Sequence, residues 1–544
     1  MAPLSSPLRR STVIIVGSGI TGLMTAYTAA QAGYQVTVLS KSPEPRRSPA
    51  ATSFEAATWD GFVNRFITLA EGHPYLTLPP EATVTHGDVA ADFQQDLTEG
   101  GFLALPRSQW SPETRKFLAQ RQSIDPYSRR TLWLLNEYLD ENRASLVLWY
   151  DLLTQVLRHH PQIYPHLSLH SQGIDRLYDC PAAFRQARQM QEHQGILKAV
   201  YPAQTLASNP ALSLYQRPGL EGGVLTQYGV SFDVHGLGQQ WLLPELERLG
   251  VQLRLGQDHR VVSLDRNDQG QIQGLTTAEG HTYSAHHYLL HPGAYGDPQL
   301  LAQTPAQGQL AAVQGLWLRV QQGEERWPWG HLSRPCKIHG AKAPIVYQGQ
   351  TYPGQVTDLN AMVQRRSQGW DLVIGSGYIF RGLYPFPEGA AVQRAEALAL
   401  EALVQVVNRV YGLTLVAERL RQGTDPQGDL PSLGCMRSWS PDDRELRTLV
   451  PTAAGGVLLI QGGGNTGSTT KAPFLSQVAV AFLQTFDGAT PPPDTWADTY
   501  ENLRYAHRKS TEAVNPIHWQ ALEDGLQEAV DQAQAPDPSC LHGV

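Results

Sequence analysis

Thr12-Val-Ile-Ile-Val16 runs directly into Gly17-Ser-Gly19-Ile-Thr-Gly22. Every residue of the first segment is β-branched, the pattern of a buried strand, and the three glycines that follow have the G-x-G-x-x-G spacing. Leu23, Ala26, Ala29 and Ala30 then recur at helical spacing, Gly33 ends that helix, and Gln35-Val-Thr-Val-Leu39 reads as a second strand. The sequence therefore predicts a βαβ unit built to hold a dinucleotide. Gly17 makes the tight turn, Gly19 lets the backbone approach a pyrophosphate, and Gly22 lets helix and strand pack closely. Ile20 and Thr21 open the helix whose free N–H groups would meet that anion.

One position departs from the fingerprint. Where the second strand ends, the carboxylate that would bind the adenosine ribose is replaced by Ser40, followed by Lys41. Lys41 would suit a 2′-phosphate, as in an NADP site, whereas the hydroxyls of Ser40 and Ser42 would suit the ribose of FAD. The far end of the chain decides between them. Val457-Leu-Leu-Ile460 runs into Gln461-Gly-Gly-Gly-Asn-Thr-Gly467, a second strand and glycine turn. An N-terminal dinucleotide unit completed by a last strand of this kind is a flavoprotein arrangement, so FAD is the expected cofactor.

Composition sets the outer limits. At 544 residues the chain exceeds the usual size of one core, so two domains and some appendages are expected. A net charge of −8 argues against an electrostatic role on nucleic acid. The pair Arg9-Arg10 before an apolar run mimics a signal peptide, but cleavage there would destroy the glycine turn. There is no run of eighteen apolar residues to span a membrane. Cys180, Cys336, Cys435 and Cys540 are scattered without a C-x-x-C pair, so neither a metal site nor a disulfide framework follows. A cytoplasmic location is expected.

Between the two glycine motifs the pattern alternates. Residues 43–60 read as a loop and short helix, and 126–158 carry a long helical pattern, with another after Pro181. A new α/β pattern begins at Gly222, with a helix over Gly238–Leu249 and strands at Val251–Leu255, Arg260–Leu264 and His287–Leu290. Residues 310–420 look like strands with long hairpin loops, followed by a helix over Ala390–Tyr411. The expected division is a discontinuous cofactor domain (1–60, 222–296 and 425–490), a substrate or cap domain (61–221 and 297–424), and a helical tail over 491–544.

These motifs together resemble the FAD-dependent D-amino-acid oxidase superfamily, which includes D-amino-acid dehydrogenases, glycine oxidases and sarcosine oxidases. Ser53-Phe-Glu-Ala-Ala57 is similar to the family's S-x-x-x-G loop, and His291-Pro-Gly293-Ala294 sits where the family has an A-A-G-A strand end. Cys435-Met-Arg-Ser-Trp-Ser-Pro-Asp442 is similar to G-L-R-P-x-T-P-D, and Gly462–Gly467 to G-H-G-G-x-G. The resemblance implies an α/β fold of DAO type: a Rossmann-like, discontinuous FAD-binding domain plus an antiparallel-sheet substrate domain with helical insertions. It implies that FAD is held by Gly17, Gly19, Ile20, Thr21, Gly22, Ser40, Lys41, Ser53, Val261, Val262, Gly293, Cys435, Gly463, Gly464, Asn465, Thr466 and Gly467.

For chemistry, the resemblance implies oxidation of a C–N bond in an amino acid or secondary amine, with O2 or a quinone as electron acceptor. Arg437 would clamp the substrate carboxylate through two parallel hydrogen bonds, or else pair with Asp442 or Asp443 to fix its loop. Tyr228, Tyr378 and Trp439 are expected at strand ends lining the pocket. Cys435 has the spacing of the cysteine that sarcosine oxidases join to the flavin, although non-covalent FAD is the working expectation. Lys337 weakly resembles their oxygen-activating lysine, but is expected at the surface, as is Lys471 in the first turn of a helix. Two rivals stay open: an FAD monooxygenase or specialised biosynthetic flavoenzyme, and a flavin-binding scaffold that has lost catalysis.

Overall fold

A computed structural model describes residues 11–42, 64–68, 102–105, 109–123, 129–178, 180–193, 195–208, 221–321, 334–339, 345–347, 349–352, 359–365, 370–422, 430–441, 445–464, 468–488 and 516–534. The strand Thr12–Val16 lies inside a six-stranded sheet, between Gln35–Ser40 and His287–Leu290. Gln252–Leu255 flanks one side, and Val457–Gly462 with its hairpin partner Leu446–Pro451 flanks the other. All neighbours run parallel except that last hairpin. Val13, Ile15, Val36 and Val38 face a core shared with the helix Ile20–Gln31, while Ile14 and Leu39 pack into a second core on the opposite face. Burial on both faces explains why these strands read as continuous apolar runs.

A nine-stranded sheet forms the second layer. Its order begins with Leu430–Trp439, Ala311–Gln321, Trp370–Gly382, Leu359–Arg365 and Cys336–His339. It continues through Ile174–Tyr178, Gly223–Gln227 and Leu197–Pro202, with Phe102–Leu103 beside Trp370–Gly382. Pairing is antiparallel except where Cys336–His339 meets Ile174–Tyr178 and where Phe102–Leu103 joins. The strands Leu430–Trp439 and Gly223–Gln227, assigned by sequence to the cofactor domain, thus belong to this sheet, and a division at 222 and 425 cuts through it. Ladder hydrogen bonds across non-local pairs decide that membership, and they leave no mark in local sequence.

The helix Ala390–Tyr411 has the bounds expected of it and packs on the nine-stranded sheet. The helical pattern before residue 160 is one helix, Arg129–His159, which packs beside Ser468–Gly488 and Pro516–Gln534. The middle helix begins at Val234 rather than Gly238, and passes through a π turn at Gly238–Leu242. Among the described residues no helix is long and apolar enough to cross a membrane.

Candidate cofactor and substrate site

The first glycine turn is sterically committed. Gly17 has φ +117°, and a Cβ there would sit 2.4 Å from the carbonyl oxygen of His291. A Cβ on Gly22 would lie 2.1 Å from the carbonyl oxygen of Gly17, so the helix can approach its strand only through glycine. At Gly19 the opposite holds, because among the described residues nothing stands within 4 Å of an added Cβ. Gly19 is also the N-cap of the helix, and no side chain caps the N–H groups behind it. Open space in front of uncapped helix N–H groups is the form of a pyrophosphate cradle.

Beside this turn lies the end of the second strand. Ser40 is buried; its Oγ accepts from the Ser18 hydroxyl at 2.9 Å and from the Ser42 backbone N–H at 3.2 Å. The Gly256 N–H donates to the carbonyls of both Ser40 and Ser42, which brings the start of the Val261–Arg266 strand alongside. Val261 is buried there and Val262 half-buried. Lys41 turns elsewhere: its Nζ donates to the Tyr295 carbonyl at 2.7 Å and sits 4.7 Å from the centre of the Tyr384 ring. Burial lowers its pKa, so its site is drier than a solvated phosphate contact.

The other strands end along the same edge. His291 follows His287–Leu290, and Gly293 is exposed with open space at its Cα. Both ring nitrogens of His291 are buried without a partner among the described residues, and burial pulls its pKa down to about 4. Parallel register places Gln461 beside it, one residue past the Leu290–Ile460 pair. Among the described residues the side-chain amide of Gln461 is likewise buried and unpartnered at both atoms, as is that of Asn142 in the helix Arg129–His159. Buried polar groups are normally satisfied, so His291 and Gln461 at the strand ends fit a polar ligand such as FAD.

The C-terminal motifs meet in space. Gly463 N–H donates to the Ser438 hydroxyl at 3.2 Å, Ser440 N–H to the Gly463 carbonyl at 3.4 Å, and Trp439 bridges Gly464. The Arg437 strand is therefore stitched to the second glycine turn. Ser53, Asn465, Thr466 and Gly467 lie outside the described residues, as do the side chains of Tyr378 and Cys435.

Behind that turn is a buried ionic cluster that the sequence reading missed. Glu141 accepts from Arg447 at 2.7 Å and from Lys471 at 3.0 Å, and Glu445 stands 3.6 Å from Arg447. Lys471 is 1 % exposed, so it is not the solvated lysine its first-turn position suggests. Its partner comes from the helix Arg129–His159, which the tertiary fold lays across the start of Ser468–Gly488. Burial holds the Glu445 carboxyl above the usual range, against the pull of Lys471 and Arg447.

Arg437 stands opposite Val313, and side chains of opposed residues share a face. Alternation along Ala311–Gln321 puts Val313, Gly315 and Trp317 on that face. Gln314, Leu316 and Leu318 take the other, where Gln314 bonds to Glu396 of the helix Ala390–Tyr411. The guanidinium of Arg437 lies over Gly315, where a Cβ would be 2.2 Å from it. The Trp317 ring covers Gly375 in the same way, at 2.4 Å from an added Cβ. Both glycines could have been singled out by sequence, because an isolated glycine inside an apolar strand marks a close approach.

Register carries this face from Trp317 through Gly375 and Asn360 to Lys337. Lys337 is 7 % exposed, so its expected surface position is corrected. Tyr228 directly follows the strand Gly223–Gln227, six strands along the sheet from Leu430–Trp439, and its ring stacks on Trp519 of the C-terminal helix. Trp439 is 2 % exposed and serves as core rather than as an open wall. Tyr378 falls where register shifts between the Ser376 and Ile379 pairings, two strands from Arg437.

One group of described side chains is close enough to share a metal ion: His286, His287 and Asp487, at the amino ends of the strands. His287 Nδ1 accepts the Val457 N–H at 3.2 Å, which places its proton on Nε2, donated to Asp487 at 3.0 Å. That tautomer leaves Nε2 no lone pair for a metal.

Residues 12–470 match the family of FAD dependent oxidoreductases designated DAO, and the chain belongs to it. Among solved structures, fructosyl amine:oxygen oxidoreductase (Amadoriase I) from Aspergillus fumigatus is similar, with 17 % identity and a TM-score of 0.50 over 88 % of each chain. Glycine oxidase from Bacillus cereus ATCC 14579 has 11 % identity and a TM-score of 0.50 over 87 % of this chain and 95 % of its own. These likenesses establish a shared fold. No curated protein matches the sequence.

Proposed function

We propose that this FAD-dependent oxidoreductase oxidises the C–N bond of an amino acid or secondary amine. FAD, held non-covalently, supplies the hydride acceptor. The substrate needs a neutral amine, whose lone pair forms the C=N bond as hydride leaves the carbon; water then hydrolyses the imine. Such chemistry depends on orientation more than on a protein base. The observation that carries this reading is Arg437, laid over Gly315 on a strand stitched to the second glycine turn. A planar guanidinium there can hold a carboxylate by two parallel bonds and so fix the carbon beside the cofactor. O2 or a quinone then takes the electrons.

The test is anaerobic mixing with D- and L-amino acids, N-methyl amino acids and simple amines, read as loss of visible flavin absorbance. Bleaching by carboxylated amines, and not by decarboxylated analogues, is expected. Equal bleaching by both would remove the carboxylate clamp, and bleaching by none would leave a flavin-binding scaffold. Acid precipitation should release all the colour; retention would assign a thioether to Cys435.

A further inference from the structure

A serine Oγ has one proton and room to accept two hydrogen bonds. At Ser40 both acceptor positions are taken, by the Ser18 hydroxyl at 2.9 Å and the Ser42 N–H at 3.2 Å. With those two bonds in place, what Ser40 has left to offer a ligand is its own proton. This residue ends the second strand, where dinucleotide folds place a carboxylate that can only accept from the ribose hydroxyls. The hydrogen-bond polarity of the position is reversed, and its negative charge is gone.

The surroundings agree with that reversal. Among the described residues, the Lys41 that follows is held by the Tyr295 carbonyl and the Tyr384 ring, and the half-exposed side chain of Arg260 lies 3.6 Å from Asp297. Asp297 is paired with Arg260. Gly256, whose N–H is used by the Ser40 and Ser42 carbonyls, brings in no side chain.

We infer that the ribose edge of the adenosine site recognises oxygen atoms as acceptors through Ser40, and so accommodates a 2′-phosphorylated adenosine as readily as the free hydroxyl. This rests on the FAD site described above but not on the substrate. The chain still uses FAD for its chemistry. What changes is selectivity at the adenosine end, because a carboxylate would repel a 2′-phosphate and a neutral donor hydroxyl does not.

The probes are ADP and 2′-phospho-ADP, titrated by calorimetry into protein freed of FAD or produced without it, with FAD itself as control. Wild type should bind the two nucleotides within about threefold of each other, a difference smaller than one hydrogen bond. S40D should keep ADP and FAD but lose affinity for 2′-phospho-ADP by about tenfold or more, as like charges meet. S40A should weaken both nucleotides by a similar factor, about three- to tenfold for one lost donor. Uptake of FAD and ADP by wild type with rejection of 2′-phospho-ADP overturns this inference alone. Failure to take up FAD overturns the cofactor site on which it rests.

Discussion

Replacing Glu141 by glutamine keeps the shape of the buried cluster and removes the charge that Arg447 and Lys471 share, at 2.7 and 3.0 Å. Two cations would remain, with Lys471 1 % exposed and each charged side chain of the group no more than 8 % exposed. Breaking a buried pair by removing one partner costs about 3–5 kcal/mol, because the other charge is left in low dielectric. Glu445 offsets part of this. Its carboxyl, raised by burial, ionises more readily once Arg447 loses Glu141, so the low end, about 3 kcal/mol, is expected for E141Q. K471M should cost less, about 1–2 kcal/mol, since Glu141 keeps Arg447 and an apolar chain of similar volume replaces a cation that had to be desolvated. The double variant should fall short of the sum by about 1–3 kcal/mol, the coupling of residues in one network. Urea unfolding at neutral pH, followed by tryptophan fluorescence and far-UV dichroism, measures the cycle where the two transitions coincide. Additive losses, or K471M as costly as E141Q, would mean that the charges are solvated independently and would refute the argument.

Three further outcomes follow from the geometry. G22A forces a Cβ to 2.1 Å from the Gly17 carbonyl, so it should destabilise the fold by about 3 kcal/mol, whereas G19V has open space and should fold normally yet purify without flavin colour. R437A should retain FAD but lower kcat/KM for an amino acid by about 2–5 kcal/mol, or roughly thirty- to several-thousandfold, with partial rescue in R437K. G315A should act in the same direction by displacing the guanidinium 2.2 Å away, and steady-state kinetics on both variants would expose an independent role for either residue. Acidification should weaken the His287–Asp487 latch. Burial lowers the His287 pKa, so below about pH 6.5 the unfolded chain takes up a proton that the folded one refuses. For Asp487 burial acts upward, but bonds from Tyr34 and His287 prevail and hold the carboxyl low; its stabilisation is present above about pH 4 and lost as pH falls through the folded value. Denaturation midpoints against pH should show wild type above D487N at neutrality and the gap closing in acid; a constant gap would remove Asp487 from the account.

What the sequence determined by itself was local: the βαβ unit from Thr12 to Leu39, the glycines whose backbone and Cα space admit no other residue, and the bounds of helices such as Ala390–Tyr411. Strand alternation, helical period and glycine sterics act over a few residues, so they are written in consecutive positions. The two C-terminal motifs were also legible as motifs. Their meeting was not, because the Ser438–Gly463 bond and the placing of Leu430–Trp439 in the second sheet depend on which strands pair. The same limit explains the errors. Lys471 and Lys337 looked like surface residues because charge alone predicts solvent, yet a glutamate from a helix 330 positions earlier neutralises Lys471 and the register of a mixed sheet carries Lys337 inward. Tyr228 had the sequence context of a pocket residue, and the C-terminal helix brings Trp519 against it. Burial of a charge or a ring is a property of what the rest of the chain places around it, and only the tertiary structure decides that.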